Sequence, residues 1–458
     1  MDYSAANTWL WNGVIQLGLI AGALVAANCL RNKITAVRKS LMPVAVLAGF
    51  LLLLLKYTGL VSIDTSFMEL LVYHGIALGF IAMSLRVMGM EKNRRGSAVG
   101  FKSGAVIIST YLVQGVTGLL ISLVLSYTLL PGLFKASGLL LPMGYGQGPG
   151  QANNVGTSYE ALGFAGGRSF GLSLAAAGYI CACVVGVVML NILARRGKLG
   201  KSAGHTHAEP PVSFFQDKDE IPVADSVDKL SIQIAMILIV YLISFLAAWG
   251  VTAALSAAAP SLADTVNPLI WGFNFLIGSA VALLTRSVLE WCRKRNIIRR
   301  QYQNNYLLNR LSGFLFDLMI VAGIASINVE DLSGLWAPFI LMAAAGGLVT
   351  WLHLGVVCKA VYGDYYYEGL LSMYGMLTGT ISSGVLLLRE IDPDLTTPAA
   401  NNLIVGSSFG ILLGAPVLLL VGLAARSDMM CWLTVALALI YLAVLLFVIY
   451  KVKGKVKE

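Results

Sequence analysis

Apolar residues in this chain are gathered into long runs instead of alternating with polar ones. Runs of about 20 residues, the length that crosses a ~30 Å hydrocarbon core, recur near 9–30, 41–56, 67–86, 104–127, 169–193, 231–255, 267–289, 307–327, 335–361, 402–424 and 430–450. A helix that is apolar all round is stable only inside lipid or among other helices. The pattern therefore predicts an all-α polytopic membrane protein. Two further apolar stretches, 131–165 and 366–397, are interrupted by glycine and polar residues and do not read as single spans. The sharpest interruption is "MGYGQGPGQANNVG" at 143–156, rich in glycine and carboxamides and free of charge.

Basic loops give the orientation. Arg31, Lys33, Arg38 and Lys39 follow the first predicted helix, and Lys92, Arg94 and Arg95 follow the third. Arg195, Arg196 and Lys198 follow the fifth, and Arg293, Lys294, Arg295, Arg299 and Arg300 follow the seventh. Loops rich in Lys and Arg stay in the cytoplasm. The loops at 256–266 and 328–334 contain neither residue and are read as external. The fourth helix then ends outside and the fifth starts outside, so 131–165 must enter and leave on one face. That makes it a re-entrant hairpin, and the same count turns 366–397 into a second hairpin entering from the cytoplasm.

Each half becomes five helices with one hairpin, 1–193 and 231–428, and the halves start on opposite sides of the membrane. This is an inverted repeat. The stretch 194–230 reads as a polar cytoplasmic linker, in which His205 and His207 lack further metal-ligating partners. Residues 429–458 add one transmembrane helix and a basic cytoplasmic tail. The N-terminus is placed outside, and a multi-pass protein of the plasma (inner) membrane is expected.

Composition agrees with this picture. Of 458 residues, 57% are hydrophobic and 12% charged, against about 25% charged in soluble domains. The net charge of +9 does not indicate nucleic-acid binding, because the basic residues sit in short loops between spans. The six cysteines fall mostly in or beside apolar runs and read as small buried hydrophobes. The first residues lack the basic stretch of a cleavable signal.

Broken helices at membrane depth are tolerated only where protein or a water-filled cavity satisfies the freed backbone. In the first hairpin the second leg restarts near Pro149, and proline suits the first turn of a helix. That leg directs its positive dipole end at the hairpin tip. The second hairpin repeats the device in "YGMLTGTISSG" at 374–384, with an outgoing leg beginning near Gly379 and Thr380. Two such ends meeting at the midplane would hold a carboxylate without Lys or Arg. The residues proposed for the substrate are Gly146, Gln147, Gly148, Gly150, Asn154, Gly379, Ser382 and Arg389. Asn153, Thr378 and Thr380 offer oxygen ligands for Na⁺. The competing reading is that these glycines only let helices pack closely, which leaves Gln147, Asn153 and Asn154 unexplained.

Two segments carry a family resemblance. "VQGVTGLLISLVLSYTLLPGLFKASGLLLPMGYGQGPGQANNVGTSYEALGF" (113–164) resembles the fourth helix and first pore loop of the sodium:glutamate symporter family. "SMYGMLTGTISSGVLLLREIDPDLTTPAANNLIVG" (372–406) resembles its second pore loop and following helix. The first tip departs from the family's Gly-Gly-His-Gly-like string, and the C-terminal helix is additional. The resemblance, which extends in architecture to the sodium–citrate symporters, covers residues 1–428. It implies Na⁺-coupled symport of L-glutamate or a related anionic amino acid by an elevator-type motion in a homodimer. No cofactor besides the coupling ion is implied.

Single residues remain open at this level. Asp317 is a carboxylate inside a predicted span, where ionisable groups are rare; it either binds a coupling cation or hydrogen-bonds a neighbouring helix. Arg168 and Arg389 either meet a substrate carboxylate or snorkel to an interface. Gln114 and His353 lie on the fourth helix of each half and either line the site or bond within the bundle. A membrane enzyme is disfavoured, because the chain has no His-Glu-x-x-His, and neither Asp317 nor Asp364 lies in a Gly-x-Gly-Asp context. A channel could also use re-entrant loops, but tips that differ in sequence favour alternating access. Within transporters the alternative is a sodium- or proton-coupled carrier of a di- or tricarboxylate.

Overall fold

The computed structural model of the protein describes residues 2–87, 94–195, 226–258, 274–298, 301–392 and 397–451, with scattered residues between 260 and 272. Among them the chain is helical, with no strand. The linker core with His205 and His207, Lys92, Arg196, Lys198, Arg299, Arg300, residues 393–396 and the basic tail from 452 lie outside the described residues.

Among the described residues, ten helical stretches are long and apolar enough to cross a membrane. In chain order the helices are α1 (Thr8–Lys33), α2 (Thr35–Lys39), α3 (Val44–Tyr57), α4 (Thr65–Leu85), α5 (Arg94–Tyr127), α6 (Leu140–Tyr145), α7 (Pro149–Glu160) and α8 (Gly167–Arg195). There follow α9 (Ser226–Ala258), α10 (Asn274–Lys294), α11 (Asn305–Ala325) and α12 (Trp336–Tyr362). The last four are α13 (Tyr366–Thr378), α14 (Ile381–Arg389), α15 (Ala399–Ala424) and α16 (Asp428–Lys451). The chain is thus a multi-pass helical membrane protein.

One predicted span is shorter than its sequence suggested. The run at 41–56 yields α3, with 14 residues, about 21 Å long at 1.5 Å per residue. Leu41 adopts a left-handed φ of 56°, which a helix cannot contain, and Pro43 at the N-cap delays the start to Val44. Gly59, with φ of 74°, closes the other end as the Leu60 N–H donates back to the Leu55 carbonyl at 3.2 Å. In the turn beyond, the Asn12 amide donates to Asp64 at 2.5 Å and holds that carboxyl below its ordinary value, helped by the Phe67 N–H. The cysteines are all free; Cys183, Cys358 and Cys431 are buried, whereas Cys29 is exposed.

The chain divides into two compact units that differ in composition from the sequence halves. Unit one comprises residues 1–69, 93–207 and 320–458, and unit two comprises 70–92 and 208–319. Each unit takes elements from both halves. In unit one, α5 packs against α12, α15 and α16. Against the turn at Lys135–Leu139, just before α6, α5 needs glycine on both sides: a Cβ on Gly118 would lie 2.0 Å from the Gly138 carbonyl oxygen, and only two bare backbones fit so tightly. α16, the helix beyond the second half, is fastened to α15 by Tyr441 Oη donating to the Leu413 carbonyl at 2.7 Å. At its start Asp428 pairs with Lys135, which raises the Lys135 ammonium above its ordinary value through that hydrogen bond.

Unit two has its own apolar core of Ile81, Leu85, Ile237, Val240, Ala282 and Leu308. The C-terminal end of α4 is capped by a carboxamide. Asn305 Oδ1 accepts the Val87 N–H at 2.8 Å and its Nδ2 donates to the Val87 carbonyl at 2.7 Å. Both polar groups of a helix exit are satisfied by one side chain. Asn305→Ala should destabilise unit two by about 1–3 kcal/mol, the cost of leaving part-buried backbone groups unpaired. Thermal unfolding of the purified protein in detergent should show a lower midpoint, and an unchanged midpoint would remove the cap from the account.

Candidate functional site

The two interrupted stretches meet within unit one. In the first, α6 ends at Tyr145 and the chain breaks over Gly146, Gln147 and Gly148. Gly148 has φ 86° and ψ −175°, a region essentially reserved for glycine. Pro149 follows at the first position of α7, where its missing N–H has no cost. In the second, α13 ends at Thr378, Gly379 breaks the chain, and α14 starts at Ile381 behind Thr380. Neither restarting helix has a side-chain cap. The breaks touch: a Cβ on Gly148 would lie 3.8 Å from both the Gly379 carbonyl oxygen and the Thr380 methyl.

Carbonyls freed by the breaks are held by neighbouring helices. Tyr111 Oη donates to the Gly146 carbonyl at 2.9 Å. Gln114 Nε2, one turn along α5, donates to the Leu377 carbonyl at 2.9 Å and to Thr350 Oγ1 of α12 at 2.8 Å. Thr378 Oγ1 donates to Tyr374 at 2.8 Å within α13. From α8, Gly178 lies so close that a Cβ there would sit 2.3 Å from the Thr378 carbonyl oxygen. The next residue, Tyr179, is fully buried between the tips, its hydroxyl 3.9 Å from the Gly148 Cβ position and its ring 3.0 Å from that of Gly379.

Several buried polar atoms around the breaks have no partner among the described residues. They are Gln114 Oε1, both amide ends of Gln151, Asn153 Oδ1, Thr380 Oγ1 and Ser383 Oγ. Gln114 Oε1 lies 3.0 Å from the Gly146 Cβ position, and Ser383 Oγ lies 2.8 Å from that of Gly379. Gln151 and Ser383 occupy the third residue of α7 and of α14, the same place at each restarting end. Native proteins leave few buried polar atoms unpaired, and each such atom calls for an explanation. No Lys, Arg, His, Asp or Glu occurs in 143–156 or 374–388.

Of the residues singled out from sequence, Gly146, Gln147, Gly148, Gly150, Gly379 and Thr380 are at the breaks. Asn153 and Asn154 are buried in the second turn of α7, and Thr378 is fully buried at the end of α13. Ser382 is in the first turn of α14, with its side chain outside the described atoms.

The two arginines are elsewhere. Arg389 ends α14, eight residues and about 12 Å from its start. Arg168 opens α8 and pairs with Glu69, while its N–H donates to Glu160 at 3.0 Å. Ser169 beside it donates to Asp331 at 2.6 Å, and Lys56 donates to Asn328 at 2.7 Å. This polar corner ties α3, α4, α7 and α8 to the α11–α12 connection, so Arg168 is engaged structurally. His353 Nε2 is bonded to Ser109 Oγ at 2.9 Å, an internal link between α12 and α5. Asp317 belongs to unit two, half-buried, without a hydrogen bond to another described residue.

Tyr111, Gln151, Tyr179, Thr350 and Ser383 were not singled out by the sequence. A Tyr or Thr inside an apolar run carries no local signal of its partner. Among the described residues no three His, Cys, Asp or Glu side chains form a metal-holding group. No family model matches the chain, and no curated protein matches it.

Gly148→Ala tests the break itself. A methyl would find ordinary contacts there, so the cost comes from the backbone conformation, about 1–3 kcal/mol. The unfolding midpoint in detergent should fall. A midpoint equal to wild type would mean that the chain turns here without the strained conformation.

Proposed function

We propose that the protein is a secondary active transporter for a small organic anion, coupled to Na⁺. The carrying observation is the pair of uncapped helix N-termini that meet at two chain breaks. Helix N-termini present N–H groups and a positive dipole end, which suit an anion. Broken helices converging mid-bundle are the usual site plan of transporters with inverted repeats. In this reading 131–165 and 366–397 are re-entrant hairpins of two inverted halves, 1–193 and 231–428. The N-terminus is outside and the C-terminus is cytoplasmic, in a plasma (inner) membrane.

The unpaired atoms support a coupling cation as well. Gln114 Nε2 faces a backbone carbonyl, an obligate acceptor, so its Oε1 must point into the site. Gln114, Gln151 and Asn153 supply three acceptor-only oxygens, against one unpaired amide donor from Gln151. An anion alone satisfies donors. The surplus of acceptors, with the Thr380 and Ser383 hydroxyls, suits a hard cation such as Na⁺. Together with the family resemblance, this favours L-glutamate or a related anionic amino acid as cargo, moved by an elevator-type mechanism in a homodimer. No catalytic role is proposed, since the site holds no nucleophile beside a base.

A second reading keeps the anion and changes the ion. Asp317 is a half-buried carboxylate in a membrane helix, and such groups serve proton relays. A proton-coupled carrier of a di- or tricarboxylate would use it.

Uptake of labelled acids into proteoliposomes, with and without a Na⁺ gradient, separates these readings. Glutamate should accumulate only with inward Na⁺. Thr380→Val and Asn153→Ala should each raise the Na⁺ concentration for half-maximal uptake by about tenfold, the scale of one lost ligand at 1.4 kcal/mol. Saturating Na⁺ should then recover most of the substrate affinity, because the two bindings are linked. Uptake independent of Na⁺ and lost in Asp317→Asn would transfer the coupling to protons.

A further inference from the structure

We infer that unit two carries a small oxyanion site of its own, formed where the end of α10 meets the connection to α11, and suited to a phosphate oxygen. The site is separate from the chain breaks and does not depend on the transport reading. A cavity of about 20 Å³ opens there among Leu289, Glu290, Arg293, Gln301, Tyr302 and Gln303. That is room for roughly one water-sized group, so it admits an oxygen of a larger ligand whose remainder stays outside.

The wall is preorganised. Gln233 of α9 holds the connection from both sides, donating to the Tyr302 carbonyl at 2.8 Å and accepting the Asn304 N–H at 3.2 Å. Gln301 donates to the Gln303 carbonyl at 3.1 Å and accepts from Arg293 Nη1 at 2.7 Å. The Gln301 contact orients the guanidinium and engages one of its five donors. Gln303 is only 5% exposed, and its Nε2 has no partner among the described residues. A buried amide donor beside an arginine asks for an acceptor, and the charge favours an anionic one.

Glu290 does not cancel this preference. Its carboxylate faces Arg286 one turn back, 3.9 Å away, so Arg286, Glu290 and Arg293 together leave one positive charge. Lys294 and Arg295 are exposed on the same helix end and add to the local positive field. By the basic-loop rule this end is cytoplasmic, where anionic headgroups are concentrated and basic pockets between membrane helices bind them. Arginine matches phosphate oxygens with charge-assisted hydrogen bonds. An anionic phospholipid and inorganic phosphate share this chemistry.

The purified full-length protein would be examined by native mass spectrometry with phosphatidylglycerol or phosphatidylcholine. Parallel thermal unfolding would be run with and without millimolar inorganic phosphate. Phosphatidylglycerol adducts should outnumber phosphatidylcholine adducts. Arg293→Gln should lower that occupancy by about 5-fold, the scale of one basic contact to a charged headgroup, with Arg293→Lys intermediate, and Gln303→Leu should lower it about as much through the lost hydrogen bond to the anion. Arg293 is exposed at a helix end, so its variants should fold even if Gln303→Leu does not. Phosphate that stabilises the protein and displaces the lipid would identify a soluble ligand; lipid binding indifferent to phosphate would identify the headgroup. Equal binding of the two lipids with no phosphate effect, or wild-type phosphatidylglycerol occupancy in Arg293→Gln, would overturn the site and leave the cavity to water.

Discussion

Tyr111 and Gln114 stand one turn apart on α5, and each holds a carbonyl released where another helix stops. Tyr111 takes Gly146 from the first break, and Gln114 takes Leu377 from the second. A broken helix in a low-dielectric bundle leaves peptide groups that no water can satisfy, so it survives only if protein groups replace the missing partners. Two adjacent turns of α5 do this for both breaks. Gln114 reaches further, to Thr350 on α12, and so joins α5, α12 and α13. Glycine contacts of α5 and α8 bring backbones close enough for these bonds to form.

The same accounting explains why this place is a functional candidate. Once the carbonyls are held, a group of side-chain oxygens and one amide remain buried without a partner among the described residues. Leaving them so costs about 1–3 kcal/mol for each group, which a purely structural core would avoid by using apolar residues. A ligand that supplies both an anion to the helix ends and a cation to the oxygens would remove the cost. The proposed co-transport follows from that requirement. Tying the two bindings to one set of side chains makes each ligand strengthen the other.

Much of this was legible along the chain, and the remainder was not for identifiable reasons. Long apolar runs mark helices because lipid demands them, and Gly-x-Gly-Pro marks the first break because few other residues tolerate the backbone there. Partners such as Tyr111, Thr350 and Tyr179 come from other helices, and no local pattern connects them to the breaks. Arg168 and Arg389 looked attractive because sequence records nearness along the chain, while a helix carries a residue away at 1.5 Å per position. Arg168 in fact belongs to the polar corner with Glu69 and Glu160. The shortened α3 arises from Leu41 and Pro43, whose backbone conformations an apolar run does not reveal.

The most direct test asks whether one ligand covers both breaks. Gln151→Cys and Ser383→Cys, the third residues of α7 and α14, would be made in a background lacking the six native cysteines, and the rate of reaction with a small membrane-permeant thiol reagent measured. If the unpaired atoms of α7 and α14 form a single site, glutamate with Na⁺ should slow labelling at both positions, and either ligand alone should protect less. Rates unaffected by any combination of organic acid and Na⁺ would contradict it, and the two breaks would then serve helix packing alone.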